Sequence, residues 1–185
     1  MTMSALEVEV RYRLASEDER DITSRLAGMG FQERTATHQI DTYFTSRHKD
    51  FIETEECLRI RQEGSREMIT WKPPSTDEMK IADEFWKEEI DLDVTGSSDI
   101  AFRLLDRLDF VKYCVVDKTR KVFVNDQGVE AGLDRVVGVG VFLELEVRMR
   151  EVQDARKLLR STADSLGLDP DRLVRVPYRD LVRRE

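Results

Sequence analysis

Two cysteines in 185 residues, Cys57 and Cys114, leave no room for a disulfide scaffold, and they form no C-x-x-C or other metal spacing. Lone thiols of this kind suit a reducing cytosol and a structural role. Only four prolines are present, and no low-complexity segment or fixed-period repeat emerges, so neither a disordered linker nor a solenoid is expected. No stretch approaches the roughly 18 apolar residues of a membrane span. The N-terminus lacks the cationic flank and apolar run of a leader. A basic excess is also missing: the net charge of −8 argues against a nucleic-acid surface or an anionic membrane as partner. With two isolated histidines, His38 and His48, read as surface or structural residues, no nucleophile-base-acid triad can be assembled. These absences leave a single cytoplasmic domain, residues 1–185, large enough to bury a core.

What is abundant is charge, at 37% of residues, well above the roughly 25% of ordinary soluble domains. Its placement is regular. In L-E-V-E-V-R-Y-R-L, residues 6–14, the even positions are apolar or aromatic and Glu7, Glu9, Arg11 and Arg13 are charged. Successive strand side chains point to opposite faces, so this is a strand with one greasy and one ionic side. Nearly the same phrase returns as L-E-L-E-V-R-M-R, residues 143–150. Between them, extended segments are expected at 31–45, 56–62, 68–72, 84–94, 110–125 and 132–136, with 75–80 a mobile polar loop. Helices are expected at 16–29, from Ser97 or Ser98 to about 109, at 151–166, and briefly after Pro177. Trp71 and Trp86 lie opposite Lys72 and Lys87 in the pleat, which favours packing beneath a helix over stacking on a base. Tyr43 shares the face of Asp41. Runs of strands with few βαβ units give a largely antiparallel α+β protein.

For one strand, a charged face in water is sufficient explanation. Here the pattern recurs on several, and about eight strands suffice to close a barrel. Closure with the charges inward gives an ionic interior and apolar faces turned outward under the helices. Such an interior is costly unless its charges meet each other or a ligand. Carboxylates at i and i+2 sit about 7 Å apart and repel by roughly 2 kcal/mol at an effective dielectric of ~20. Glu7, Glu9, Asp134, Glu144 and Glu146 converging would therefore attract a divalent cation, and hard oxygen donors select Mg²⁺, Mn²⁺ or Ca²⁺. Arg11, Arg59, Arg61, Lys72, Lys118 and Arg120 supply donors for several phosphate groups. Acids and bases in one cavity read as metal-bound polyphosphate.

The residues also carry a resemblance. Glu7-Val8-Glu9-Val10-Arg11 resembles the E-x-E-x-K opening motif of the CYTH, or triphosphate tunnel metalloenzyme, superfamily, which includes class IV adenylyl cyclases and thiamine triphosphatases. The agreement continues in order through D-T-Y-F (41–44), L-R-I-R (58–61), T-W-K (70–72), D-K-T-R (117–120), L-D-R-V-V-G-V-G-V-F-L-E-L-E (133–146) and the tail Y-R-D-L (178–181). The resemblance implies a closed eight-stranded antiparallel β-barrel with a charged lumen, helices packed outside, and residues 151–185 against the barrel. It implies metal binding by Glu7, Glu9, Glu144 and Glu146, with Asp134. Substrate binding falls to Arg11, Arg59, Arg61, Lys72, Lys87, Lys118 and Arg120, and catalysis to Glu7, Glu9, Arg11 and Lys72. The D-x-Y-F and long glycine-interrupted segments look most like the class IV cyclase branch. Two departures stand out: Arg11 where the motif has lysine, and Lys87 where an R-x-E-x-E strand has arginine.

The leading expectation is an Mg²⁺- or Mn²⁺-dependent adenylyl cyclase converting ATP to cyclic AMP and pyrophosphate. In the same fold, hydrolysis of thiamine triphosphate, a nucleotide or tripolyphosphate is the rival. A polyphosphate-binding module without catalysis, or an open sheet with its charges in water, would be the non-enzymatic alternatives. A homodimer is the default assembly.

Overall fold

The computed structural model describes residues 6–82 and 85–183. Ten strands are present: β1 Leu6–Leu14, β2 Gln32–Glu33, β3 Thr37–Ser46, β4 Cys57–Glu63, β5 Arg66–Lys72, β6 Phe85–Lys87, β7 Ile90–Asp93, β8 Phe110–Val124, β9 Glu130–Val136 and β10 Gly140–Met149. The five α-helices are α1 Glu19–Gly28, α2 Asp77–Ile81, α3 Ser98–Arg107, α4 Val152–Ser165 and α5 Tyr178–Val182. None of the described helices is long and apolar enough to cross a membrane.

All the ladders are antiparallel. The hydrogen-bonded path runs β6-β1-β10-β9-β8-β3-β4-β5-β7, with β2 beside β8. This sheet curls into a half-barrel: Lys72 on β5 donates to Glu7 on β1 at 2.6 Å, although five strands separate them along the path. The expected eight strands and hydrogen-bonded closure are thus not what the ladders give. The expected strand 84–94 is divided instead. Its first part, β6, pairs with β1, and its second, β7, pairs with β5. Glu88 and Glu89 carry the chain from one edge of the sheet to the other, and no ladder joins β6 to β7 among the described residues. Glu84 itself lies outside those residues.

Alternation explains the layers. On the convex face Val8, Val10, Tyr12 and Leu14 of β1 and Leu143, Leu145 and Val147 of β10 are buried beneath Ile22 and Leu26 of α1 and Ala155, Leu159 and Ala163 of α4. Each such aliphatic side chain removed from water contributes about 1.5–3 kcal/mol. Leu58 and Ile60 pack with Ala101 and Leu105 of α3 in a second cluster, against which Trp71 lies. Trp86 is buried in the first cluster with the Arg156 guanidinium 4.2 Å above its ring, so both tryptophans face helices. The concave face is ionic over most of its length and apolar at one end, where Tyr43, Val116, Val136 and Phe142 meet Tyr178 of α5.

The C-terminal segment is tied to β1 at that end. Val174 N–H donates to Arg11 O at 2.8 Å, and Leu173 bridges Tyr12. Residues 75–80, expected as a loop, hold all but the last residue of α2, whose first turn is capped by Thr76 Oγ1 accepting from Met79 N–H at 3.3 Å.

Candidate active site

The inward residues of β1, β3, β4, β5, β8, β9 and β10 surround one cavity of about 490 Å³. Glu7 and Glu9 enter it from β1 and Glu146 from β10, where Glu9 and Glu146 are register partners. One carboxylate oxygen from each of Glu7, Glu9 and Glu146 lies within 4.8 Å of the other two. Their charges are unequally compensated. Burial alone would raise Glu7, but Lys72, a hydrogen bond from Glu89 and Arg148 together outweigh it and hold the carboxyl at about 2. Glu9 is pushed up by burial and by Glu144, and Glu146 is pushed up to about 8 by burial and by Glu7. Glu89, half-buried and hydrogen-bonded to Glu7, is raised to about 7, chiefly by burial.

These three residues fit a hard divalent cation. Oxygens around Mg²⁺ at about 2.0–2.1 Å stand roughly 3–4 Å apart, so the trio needs only slight contraction. The raised affinity of Glu9 and Glu146 for a proton marks negative charge that the protein leaves unneutralised, the condition a cation relieves.

Elsewhere in the cavity every deep carboxylate is matched. Arg11 Nε and Nη2 donate to Glu144 Oε2 at 2.8 and 2.7 Å, Nη2 also reaches Glu9 Oε1 at 3.0 Å, and the guanidinium sits 4.2 Å from the Tyr178 ring centroid. Arg120 donates to both oxygens of Asp134 and, at 2.7 Å, to Glu144 Oε1. Lys118 completes this set at 3.0 Å from Asp134 Oδ2. Arg61 holds Asp41 bidentately at 2.6 and 2.7 Å, and Arg59 bridges Asp41 and Glu89 at 3.8 and 3.4 Å. Burial pushes Lys118 down to about 8, with Arg120 adding to the effect. Lys72 goes the other way: burial opposes its charge, but Glu9 and Glu7 keep it protonated well above the usual ammonium range.

All of the residues expected from the sequence line this cavity except Asp134, which is fully buried behind it under Lys118 and Arg120. They do not form one uniform set. Glu7, Glu9 and Glu146 cluster, Glu7 also pairing with Lys72 and Arg148 and Glu9 with Arg11, whereas Glu144 and Asp134 stand apart from the cluster, held by Arg11, Lys118 and Arg120. Lys87 differs from the other expected cations: its Nζ donates to the backbone carbonyls of Glu55 and Pro73 at 2.6 and 2.9 Å, and burial lowers its pKa to about 8. The structure adds Asp41, Glu89, Glu130, Arg148, Tyr178 and Arg179. Asp41, Glu89 and Arg148 stand on charged faces legible in the sequence, and Tyr178 and Arg179 lie in the Y-R-D-L tail. Glu130 carried no signal, because it precedes the segment recognised as strand. His38 and His48 are exposed, at 2.8 Å from Asp117 and 3.4 Å from Asp109 respectively. Tyr43 and Cys57 line the cavity, and both cysteines are half-buried and free.

Known proteins share this chain's sequence pattern and fold. A protein of Methanocaldococcus jannaschii named "Putative adenylate cyclase" is 28% identical over 177 residues, spanning 94% of this chain and 98% of its own. A solved protein of Pyrococcus horikoshii is 28% identical with a TM-score of 0.81, covering 97% of this chain and 99% of that one. A Hippeastrum structure, described as a "Putative adenylyl cyclase" with a dominant triphosphatase activity, shares the fold at 17% identity and a TM-score of 0.68, over 96% and 95% of the two chains. The CYTH domain matches residues 5–178, and with 174 of 185 positions inside that match the chain belongs to the CYTH domain family.

Proposed function

We propose that this chain is a metal-dependent enzyme acting on a small-molecule triphosphate, and that its reaction is the cyclisation of ATP to cyclic AMP and pyrophosphate. The observation that carries the reading is the asymmetry of the cavity. Three clustered carboxylates, of which Glu9 and Glu146 are only partly compensated, face a wall of guanidinium and ammonium groups across a space of about 490 Å³. Glu7, Glu9 and Glu146 would hold Mg²⁺ or Mn²⁺. The bound cation would neutralise phosphate oxygens and make the phosphorus more electrophilic.

Arg59, Arg61, Lys72, Lys118 and Arg120 bind the phosphate chain, exchanging part of their contact with Asp41, Asp134 and Glu89 for phosphate oxygens. Arg11 stabilises charge and positions Glu9 and Glu144. It stays protonated, because Glu144 and Glu9 outweigh the burial that would lower its affinity for a proton. Lys72 stays protonated for the same kind of reason. Neither side chain therefore accepts a proton, so hydrolysis by a neutral amine at position 11 has no agent here. In cyclisation the ribose 3′-oxygen bonds to the α-phosphorus, its proton passes to water, and the bond from the α-phosphorus to the bridging oxygen breaks with its electron pair on pyrophosphate. Fixed donors that meet this developing charge lower the barrier without reorganising.

A second reading is hydrolysis of the terminal phosphate, which the activity printed for the Hippeastrum neighbour favours within this fold. Incubation with Mg²⁺ or Mn²⁺ and, separately, ATP, thiamine triphosphate and tripolyphosphate decides between them. Cyclic AMP with pyrophosphate is the expected product. Orthophosphate alone would establish the hydrolase, and inert substrates that nevertheless bind would leave a non-catalytic receptor.

A further inference from the structure

Among the described residues lining the cavity, Ser75 Oγ, Tyr178 OH, Thr37 Oγ1 and Gln39 Oε1 are buried without a hydrogen-bond partner, and of these Gln39 alone carries an amide. It lies on β3 between Thr37 and Asp41, is 4% exposed, lines the cavity, and has no hydrogen bond from its amide among the described residues; its Oε1 is buried and unsatisfied. Thr37 Oγ1, two residues along the same face, is likewise buried without a partner. A neutral acceptor sealed from water and left unpaired is destabilising, and native proteins keep few such groups without a reason.

The surroundings indicate the reason. Gln39 is in register with Lys118 on β8 and Glu63 on β4, and Thr37 with Arg120. The pair therefore sits beside the cations assigned above to the phosphates. Next along the inward face of β8 is Val122, and Met68 enters from β5, both lining the cavity. An uncharged hydrogen-bonding pair in a cavity that Val122 and Met68 also line suits poorly a phosphate, which full charges recognise better. It suits a flat heterocycle. A glutamine amide presents a donor and an acceptor side by side, complementary to a ring nitrogen next to an exocyclic amino group. The terminal amide torsion is soft, so either atom can turn to the cavity.

We propose that Gln39, assisted by Thr37, is the specificity-determining contact of the site, reading the amino-heterocycle of the substrate while the cations hold its phosphates. The inference rests on the triphosphate reading above. Adenine and the aminopyrimidine of thiamine share the required edge. Guanine has such an edge only at N3 and its 2-amino group, and its opposite face sets a carbonyl beside a ring N–H, so it would have to enter in a different orientation.

The test is calorimetric titration, in the presence of EDTA so that no turnover occurs, of wild type and Gln39→Leu with ATP, GTP, thiamine triphosphate and tripolyphosphate. Wild type is expected to prefer a ligand with an amino-heterocycle over tripolyphosphate, and the order of ATP, thiamine triphosphate and GTP reports which edge fits. Gln39→Leu should weaken the preferred ligand roughly tenfold, the scale of one lost neutral hydrogen bond, and leave tripolyphosphate unchanged. Which ligand weakens identifies the heterocycle. Thermal melting of the ligand-free variant should show an unchanged or higher midpoint, since an orphan acceptor has been removed. Equal weakening of tripolyphosphate, or no preference in wild type, overturns the role of Gln39 while leaving phosphate binding standing. Failure of all four ligands to bind wild type both in EDTA and with Ca²⁺ in its place overturns both.

Discussion

Arg120 shows how tightly one residue can be specified by the absence of another's side chain. Its guanidinium reaches Asp134 and Glu144 together by crossing β9 above Gly132. A Cβ built at Gly132 would lie 3.0 Å from Arg120 Cζ and 3.1 Å from Nε. That is too close for the side chain to stay where it is. Gly132→Ala should displace the guanidinium, strain its bonds to two buried carboxylates and cost about 1–3 kcal/mol of stability. Tripolyphosphate affinity should fall roughly tenfold with it. Thermal melts and titration check the two effects, and unchanged affinity would remove Arg120 from the phosphate wall. At this scale the sequence told which residues face inward, because a period of two assigns faces without knowledge of the fold. It did not tell their partners. Asp41 and Arg61 stand in two separately recognised segments, D-T-Y-F and L-R-I-R, and only the β3–β4 register makes them a bidentate pair. Asp134 carries the residue type of a metal ligand, and its engagement by Lys118 and Arg120 depends on the β8–β9 register.

Among the elements, those with long, regular patterns were legible. The strand expected at 110–125 is β8 and the helix expected at 151–166 contains α4. Short elements set by tertiary partners were not. β6 and β7 read as one strand because nothing local marks Glu88 and Glu89 as a crossing between two sheet edges. α2 was hidden by Pro73 and Pro74, and by a capping threonine followed by a helix of only five residues. The short α5 was expected, but its work was not. Arg179, nine-tenths buried and more, donates to the carbonyls of Glu56 and Phe51, so this helix clasps the segment before β4. Lys87 takes the carbonyl of Glu55 in the same segment. Arg179→Gln should shorten this reach and loosen residues 51–56, lowering stability by about 1–3 kcal/mol. Hydrogen exchange should then speed at the amides of 51–56 and stay slow along β1 and β10. Uniform acceleration over the whole sheet would show instead that α5 supports the entire fold.

For the whole molecule, the uncompensated carboxylates are a standing cost that a cation removes, and pH makes this cost measurable. Glu146 titrates near 8 and Glu89 near 7 in the folded protein, and Glu9 is raised as well, against an ordinary value of 4.5. Above about 4.5 the unfolded chain has released these protons, while the folded chain keeps that of Glu89 to about 7 and that of Glu146 to about 8. Stability must therefore fall as pH rises through that window. Groups shifted the other way act outside it. Glu7, held near 2, costs stability only as pH falls below 4.5, and Lys118 and Lys87, lowered to about 8 from 10.5, act above 8. The EDTA-treated protein should accordingly melt at progressively lower temperature from pH 5 to pH 8. Saturating Mg²⁺ or Mn²⁺ should flatten the profile, because bound cation replaces the protons on the same oxygens. Glu146→Gln should flatten part of it without metal, since an amide has no proton to lose, and should weaken Mn²⁺ binding in direct titration. A metal-free melting temperature that stayed level across the window, or a Glu146→Gln profile as steep as wild type, would mean that these carboxylates are compensated in the fold and would remove the reason for a cation among Glu7, Glu9 and Glu146.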